Sequence, residues 1–398
     1  MARIGILNLT STIGTGGVFQ YTMTLIEALR DNTRHRYFVF YEDPKFEKFC
    51  ADSQNCKLTF MSANENKLSK VSRKIATLFD FKSPLLGRYS VIKENKIDIL
   101  IDLASSSIGF HLRFPYIVVI YDAMHRYYPG FPEYSLKERI MRDLIYKRAA
   151  KHSILTVVDS NQTKEDLVRF YKIKRDKIRV IPSCPPWYIY KYKDLEDSSI
   201  NEVMNKYRIA QKFIFYPAQF WHHKNHLRLI KSLYLLREEY NVKIPAVFVG
   251  SPKKDSKGTF LKITKLIEEL KIDDQILCLG YLSEREVVAL YKKATALVFP
   301  SLIGPTNIPP LEAMVLGTPV LCSDLFSMPE QIEDAGLLFD PFNVEDMAEK
   351  IYRIWTDGNI RKELVKRGYD RIKNLTLENY AKQWEEVIKE ALQNDRYL

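Results

Sequence analysis

Along the chain, short runs of apolar β-branched and aromatic residues alternate with stretches whose apolar positions recur at helical spacing. The runs at 3–8, 37–41 (YFVFY), 97–102 (IDILID), 116–121 (YIVVIY), 154–159 (ILTVVD) and 178–181 (IRVI) read as strands of a mainly parallel sheet. Helical patterns lie between them at 18–30, where Phe19, Met23, Ile26 and Leu29 share a face, and at 135–151. The segment 182–200 (PSCPPWYIYKYKDLEDSSI) is Pro-rich, then charged, and reads as a linker between domains. The alternation then resumes with strands at 213–217, 246–250, 276–281, 296–299, 319–322 and 337–339. One intervening helix opens on Ser283 with Glu286 at capping-box spacing. Helical patterns at 343–357, 359–374 and 377–392 close the chain, the last with Tyr380, Trp384, Val387, Ile388 and Ala391 on one face. Such a pattern predicts two α/β domains facing a cleft.

Composition narrows the class. With 398 residues, 46% apolar and 27% charged, the chain is globular and large enough for two or three domains. Five cysteines without a C-x-x-C point away from zinc ribbons and disulfide frameworks and toward a reducing, cytoplasmic setting. The apolar start, Ile4 to Leu7, is too short for a signal peptide and reads as a first strand. No run approaches the roughly 18 apolar residues of a membrane span, so any membrane contact is expected to be peripheral. Lys and Arg outnumber Asp and Glu by 60 to 49, and the net charge of +11 asks for an anionic partner: phosphate, nucleic acid or a lipid surface.

Three segments carry candidate chemistry. Directly after the first strand, Gly14-Thr15-Gly16-Gly17-Val18-Phe19 lets backbone amides and a helix start approach an anion, or simply makes a turn that needs positive φ. A dinucleotide fingerprint requires a small residue where Phe19 stands, which disfavours a nicotinamide enzyme. At 304–319, a loop is expected to deliver several amides to a short helix, with Pro310 at its first position and Gly317 at its stop. Glu312, expected in the first turn, is placed to accept from sugar hydroxyls, or merely complements the helix dipole. At 216–226 (YPAQFWHHKNH) three of the seven histidines cluster. His222 and His226 have i, i+4 spacing, but Lys224 between them repels a cation and no H-E-x-x-H glutamate is present, so a phosphate-facing lysine is favoured and no metal is expected.

Together with LGYLSEREVVALYKKATALVFPS at 279–301, these segments resemble glycosyltransferase family 4, retaining nucleotide-sugar enzymes of the GT-B fold, in which two Rossmann-like domains with parallel sheets face across a deep interdomain cleft. The resemblance covers most of the chain. It implies an acceptor-binding domain at 1–190, a nucleotide-sugar-binding domain at 191–375, and a closing helix at 376–398 packing back on the first. It also implies that Lys224 meets the donor diphosphate, with Gln219, Asn225 and Gly250 beside it. Amides of Thr306, Asn307 and Ile308 would cradle the diphosphate, Glu312 would bind the ribose, Tyr281 and Leu282 would lie beside the base, and Gly16 and Gly17 would close over the phosphates. Two positions depart from the usual family pattern: Gly304 stands where a glutamate is common, and Gln219 where an arginine is. Both resemble a sub-branch with F-W-x-H-K-N-H and G-P-T-N-I-P-P-L-E signatures.

In 121–135 (YDAMHRYYPGFPEYS), Asp122 and His125 match residues that approach the donor sugar, the alternative for His125 being a satisfied loop histidine. The reaction implied is metal-independent transfer, with retention, of a hexose to a hydroxyl of a glycan or lipid-linked glycan in surface polysaccharide synthesis. The donor expected first is GDP-mannose, then a UDP-hexose or dTDP-rhamnose, with no separate cofactor. A GT-B epimerase or a non-catalytic sugar-nucleotide binder is the alternative. A nucleic-acid binder is remote, because no recognisable RRM or zinc-finger module is present. Residues 67–88 read as a basic amphipathic helix whose apolar stripe either meets an anionic membrane surface or packs on the core.

Overall fold

The computed structural model describes residues 1–8, 17–30, 34–48, 53–61, 66–112, 114–252, 258–304 and 307–394. It divides into two compact units, one of Met1–Pro129, Tyr134–Ser183 and Leu377–Leu398, the other of Gly130–Glu133 and Cys184–Thr376.

The first unit holds a seven-stranded parallel sheet built from β1 (Arg3–Asn8), β2 (Arg36–Tyr41), β3 (Cys56–Phe60), β4 (Ile99–Asp102), β5 (Tyr116–Val119), β6 (Leu155–Val158) and β7 (Ile178–Val180). Its order is β3-β2-β1-β4-β5-β6-β7, so the winding reverses between β1 and β4. The central strands are buried along their whole length, which is why their sequences are apolar on both faces. Strand β3 has no such signature. As an edge strand it keeps Lys57, Leu58, Thr59 and Phe60 partly or fully exposed, and its mixed residues gave no strand pattern.

The second unit holds a six-stranded parallel sheet built from β8 (Ile214–Pro217), β9 (Ala246–Val249), β10 (Ile276–Cys278), β11 (Ala296–Phe299), β12 (Val320–Ser323) and β13 (Gly336–Phe339). The order β10-β9-β8-β11-β12-β13 reverses between β8 and β11. Its core runs from Tyr188 and Ile189 through Phe213 to Tyr216 and on to Trp355.

The segment expected to be a linker is instead helical, at Trp187–Tyr192 and Asp197–Lys206. Tyr188, Ile189, Ile200 and Val203 are buried in the second unit's core, which moves the boundary from the expected residue 190 to between Ser183 and Cys184. Proline at 185 and 186 sits ahead of the first of these helices, where it starts a helix rather than a flexible connection. The pattern expected as a helix over 67–88 ends at Leu78, followed by Asp80 at φ 58°.

The helix start expected at Ser283 is a complete capping box, and Ser135 forms a second that the sequence reading did not single out. The helix Leu377–Leu392 belongs to the first unit, with Trp384 fully enclosed and Tyr380 edge-on to Tyr21 of the helix Gly17–Arg30. Removing so large a buried side chain leaves a cavity, so Trp384→Ala is expected to destabilise the first unit by about 3–5 kcal/mol, read as a lower midpoint in urea unfolding.

Candidate active site

In an open doubly wound sheet, ligands bind beyond the strand carboxyl ends where the winding reverses, because the loops there diverge to opposite faces. In the second unit this point lies between β8 and β11. After β8 the chain makes one tight turn, His222–Lys224, and enters the helix His226–Glu238 through Asn225, held at φ 60°. After β11 it runs through Ser301 to Gly304. Leu302 donates its N–H to the His223 carbonyl (2.8 Å), which ties the two loops together across the switch point.

Lys224 is held from both sides of that point. Its carbonyl accepts from the Tyr216 hydroxyl (2.6 Å), and its Nζ lies 3.3 Å from Ser301 Oγ and 5.2 Å from the centre of the Phe299 ring. The ammonium is thus half-buried at the carboxyl edge of the sheet. Asn225, expected beside a donor, holds the backbone instead. Its Nδ2 donates to the Pro341 carbonyl (2.8 Å) and its Oδ1 accepts from Arg228 (3.0 Å). Gln219 accepts from the Ser251 N–H (3.0 Å) and so joins the loops after β8 and β9. Gly250 sits in that junction because a Cβ there would lie 2.3 Å from the Ala218 carbonyl oxygen. Tyr281 is 60% exposed on the loop after β10, while Leu282 is buried.

The anion-cradling loop differs from expectation. Thr306 lies outside the described residues, as does Gly16 of the glycine loop; Gly17 is the first residue of its helix and exposed. Asn307 is the N-cap of the helix Ile308–Val315, and Pro310 falls at its third position rather than its first. Proline at 309 and 310 removes two amides from the helix end, and the Asn307 N–H donates to Gln331 Oε1 (2.9 Å). Instead of several amides, Ile308 remains as the N–H of that turn, among the described residues, to meet an anion. Gly304 has φ 106°, and a Cβ there would meet Asn307 Oδ1 at 2.7 Å. The carboxylate common in the family is therefore excluded by backbone conformation as well as by residue type.

Glu312 falls in the second helical turn, not the first, and is buried. Its two oxygens accept from the hydroxyls of Tyr188 (2.5 Å) and Tyr291 (2.6 Å). Burial raises its carboxyl from 4.5 to about 6, while the two phenols pull in the opposite direction.

Sequence reasoning missed Glu133. It belongs to the second unit, and one of its oxygens meets both Nδ1 (2.9 Å) and the backbone N–H (3.2 Å) of His223. Burial alone would raise this carboxyl, but the bond and charge of His223 outweigh it and hold it at about 2. No spacing signal links positions 90 residues apart. The other histidines separate: His222 lies edge-on to Phe131, whereas His226 is enclosed by Tyr216, Phe220 and Phe248 and driven down to about 3 by burial.

In the first unit, His125 is also enclosed. Its Nε2 lies 2.8 Å from Asp143 Oδ1 and 3.2 Å from the Tyr171 hydroxyl, and burial lowers its pKa. The ring points into the core from the short helix Met124–Tyr127 and does not reach an open surface, contrary to the expected sugar contact. Asp122, beyond the end of β5, is partly exposed and accepts from the Met124 N–H at the start of that helix (2.9 Å).

A two-unit molecule of parallel α/β sheets, with a lysine at the switch point of the second, has the GT-B design. The sequence profile described as Glycosyltransferase Family 4 matches residues 15–184, and that of Glycosyl transferases group 1 matches 199–371. The chain belongs to this family of glycosyltransferases. It is 28% identical over 257 residues to O-antigen chain mannosyltransferase B of Escherichia coli, covering 63% of this chain and 65% of that one. It is 26% identical over 224 residues to O-antigen chain mannosyltransferase RfbU of Salmonella typhimurium, covering 56% of each. The matches thus span less than two thirds of these relatives' own length. Among solved structures, sucrose-phosphate synthase from Thermosynechococcus elongatus aligns at a TM-score of 0.78 with 19% identity over 98% of this chain and 99% of that one. Anabaena HepE, solved in complex with UDP-glucose, aligns at 0.77 with 16% identity over 98% and 100%. These likenesses show the fold.

Because the folded carboxyl of Glu312 titrates above its unfolded value, neutral Glu312 favours the folded state at acid pH, and that advantage is lost as pH rises from 4.5 through about 6. Relative to Glu312→Gln, the wild-type chain is therefore expected to lose about 2 kcal/mol of stability across this window, measured by denaturant unfolding at a series of pH values. Tyr188→Phe or Tyr291→Phe is expected to raise the Glu312 carboxyl further, read by carbon NMR titration.

Proposed function

We propose that this chain is a retaining, metal-independent glycosyltransferase that moves a hexose, mannose first, from a nucleoside diphosphate sugar to a hydroxyl of a glycan or lipid-linked glycan in polysaccharide synthesis. The observation that carries this reading is Lys224, half-buried at the switch point of the second unit's sheet and tied to Ser301. A diphosphate leaving group gains charge as the glycosidic bond breaks, and a fixed cation in a partly desolvated crevice stabilises that charge without reorganising. The Ile308 N–H supplements it. The ribose contact that family membership implies for Glu312 uses carboxylate lone pairs left by the two phenols, since each oxygen accepts one phenol bond and can accept another.

The two mannosyltransferase relatives support mannose and polysaccharide synthesis. The HepE complex keeps a UDP-hexose as the second donor to try; dTDP-rhamnose is the third. Attack on the same face as the departing phosphate, assisted by that phosphate, accounts for retention without a second carboxylate at Gly304. His125, enclosed with Asp143 and Tyr171, acts in this scheme by holding the segment that carries Asp122, and Asp122 is the residue of the pair exposed to meet the sugar.

Release of nucleoside diphosphate from GDP-mannose in the presence of acceptor tests the reading. Lys224→Ala is expected to lower kcat by about 100- to 1,000-fold with the thermal midpoint unchanged. Turnover within about threefold of wild type would remove Lys224 from the mechanism, and release that does not depend on acceptor would replace transfer by hydrolysis.

A further inference from the structure

One side chain from the loop after β12 grips the residue that opens the helix Ile308–Val315. Gln331, buried in the helix Met328–Ile332, donates from Nε2 to the Asn307 carbonyl (2.7 Å) and accepts the Asn307 N–H at Oε1 (2.9 Å). A peptide N–H must face the carboxamide oxygen and a peptide carbonyl the carboxamide nitrogen, so the two bonds fix the Gln331 side chain in one orientation. The Asn307 side chain is tied down as well. Its Nδ2 donates to the Gly304 carbonyl (3.1 Å) and lies 3.3 Å from Met328 Sδ.

The clamp is itself braced. Arg371, from the helix Gly358–Ile372, donates through Nε to the Gln331 carbonyl (3.0 Å) and through Nη2 to the Glu330 carbonyl (3.2 Å), and its guanidinium meets the Glu333 carboxylate at 3.3 Å. These carbonyls belong to a helix of five residues, too short to stand without such support. Glu333 follows it at φ 52° and ψ −124°, a backbone region that a non-glycine residue keeps only when its surroundings impose it.

The consequence falls on the next amide. In a planar trans peptide, the carbonyl of one residue and the N–H of the next point in opposite directions. The Asn307 carbonyl is drawn toward Gln331 and, as that of an N-cap, toward the first helical bond, so the Ile308 N–H is turned away from both. Pro309 and Pro310 have no N–H to share the task. At its start the same loop is fixed beside β8: Lys224 Nζ lies 3.3 Å from Ser301 Oγ, Ser301 Oγ donates to the Ile303 carbonyl (2.7 Å), and the Leu302 N–H reaches the His223 carbonyl. The loop is thus anchored beside Lys224 at one end and by Gln331 at the other. We infer that Gln331 is a positioning residue for the donor: it occupies the Asn307 amide and thereby aims the Ile308 N–H at the diphosphate that Lys224 meets. This rests on the reading of Lys224 and Ile308 as the diphosphate site. An amide fixed in advance needs no reorganisation as the leaving group gains charge.

The dipeptide Asn-Ile occurs in this sequence at 307–308 and 359–360, so the full chain labelled with carbonyl carbon-13 in asparagine and nitrogen-15 in isoleucine gives two selected amide signals. The Ile360 N–H, bonded to Asp357 Oδ1 (3.1 Å), is the internal reference. In the wild type, the Ile308 signal is expected to move downfield on addition of GDP while the Ile360 signal stays. Gln331→Met keeps the volume and loses both clamp bonds, whereas Gln331→Glu keeps an acceptor for the Asn307 N–H and loses the donor. Each is expected to shift the Ile308 signal before any ligand is added, to abolish its response to GDP, and to weaken GDP binding about tenfold in titration calorimetry, the worth of one hydrogen bond to a charged group. The Ile360 signal and the circular dichroism are expected to stay as in the wild type. Variants that lower the thermal midpoint yet bind GDP as the wild type does, or that keep its Ile308 response, overturn the inference and leave the diphosphate site standing. A wild-type Ile308 signal that responds to none of GDP, UDP and dTDP removes this amide from the diphosphate site and the inference with it.

Discussion

The parallel pairing of β8 with β9 on one side and β11 on the other underlies the candidate site. Parallel neighbours cannot be joined by a tight turn, so each strand is followed by a crossover on one face of the sheet, and every strand carboxyl end falls on the same edge. Where the order reverses, the crossovers leave toward opposite faces and the edge stays open. The turn His222–Lys224 and the segment after β11 meet across that opening, joined by the Leu302 N–H and the His223 carbonyl. Lys224 is placed by this topology, with no need for the flexible reach of its own side chain.

The candidate site draws on few charged groups among the described residues. Prolines at 309 and 310 and the Gln331 carboxamide use up most of the anion-binding capacity that a helix start ordinarily offers. Gln219, where an arginine is common, commits its carboxamide oxygen to Ser251. Gly304, where a glutamate is common, has a backbone that only glycine adopts readily. Relative to the pattern that the resemblance implies, these two positions carry one arginine and one glutamate fewer. Glu312 compensates by being held with two phenols, which keep a buried carboxylate from the full penalty of isolation.

In the first unit the usual arrangement of a surface helix is reversed. The helix Lys67–Leu78 exposes its apolar stripe, and the polar face is retained by hydrogen bonds to His111 and Ser83 and by the cluster of Arg148, Lys151 and His152 on Asp80. Burying a polar face is tolerable only when its groups are partnered, and here they are.

Alternating apolar runs were enough to read the two α/β units, nearly every strand and the closing helices, because a parallel sheet covered on both faces leaves few polar positions to confuse the pattern. The exceptions share a cause. Strand β3 lies at an edge, and the helices of 187–206 look like a linker because their burial depends on Tyr188, Ile189, Ile200 and Val203 meeting strands distant in sequence. At the site, residue types and spacing pointed to Lys224 and Glu312, since a cation and a carboxylate beside a glycine- and proline-marked helix start are local features. Tertiary structure alone decided that His125 faces inward, that Glu133 meets His223, that the Asn307 amide is already engaged, and which face of Lys67–Leu78 looks out. Periodicity reports that a helix has two unlike faces, but which one is buried depends on the partners the rest of the chain brings against it.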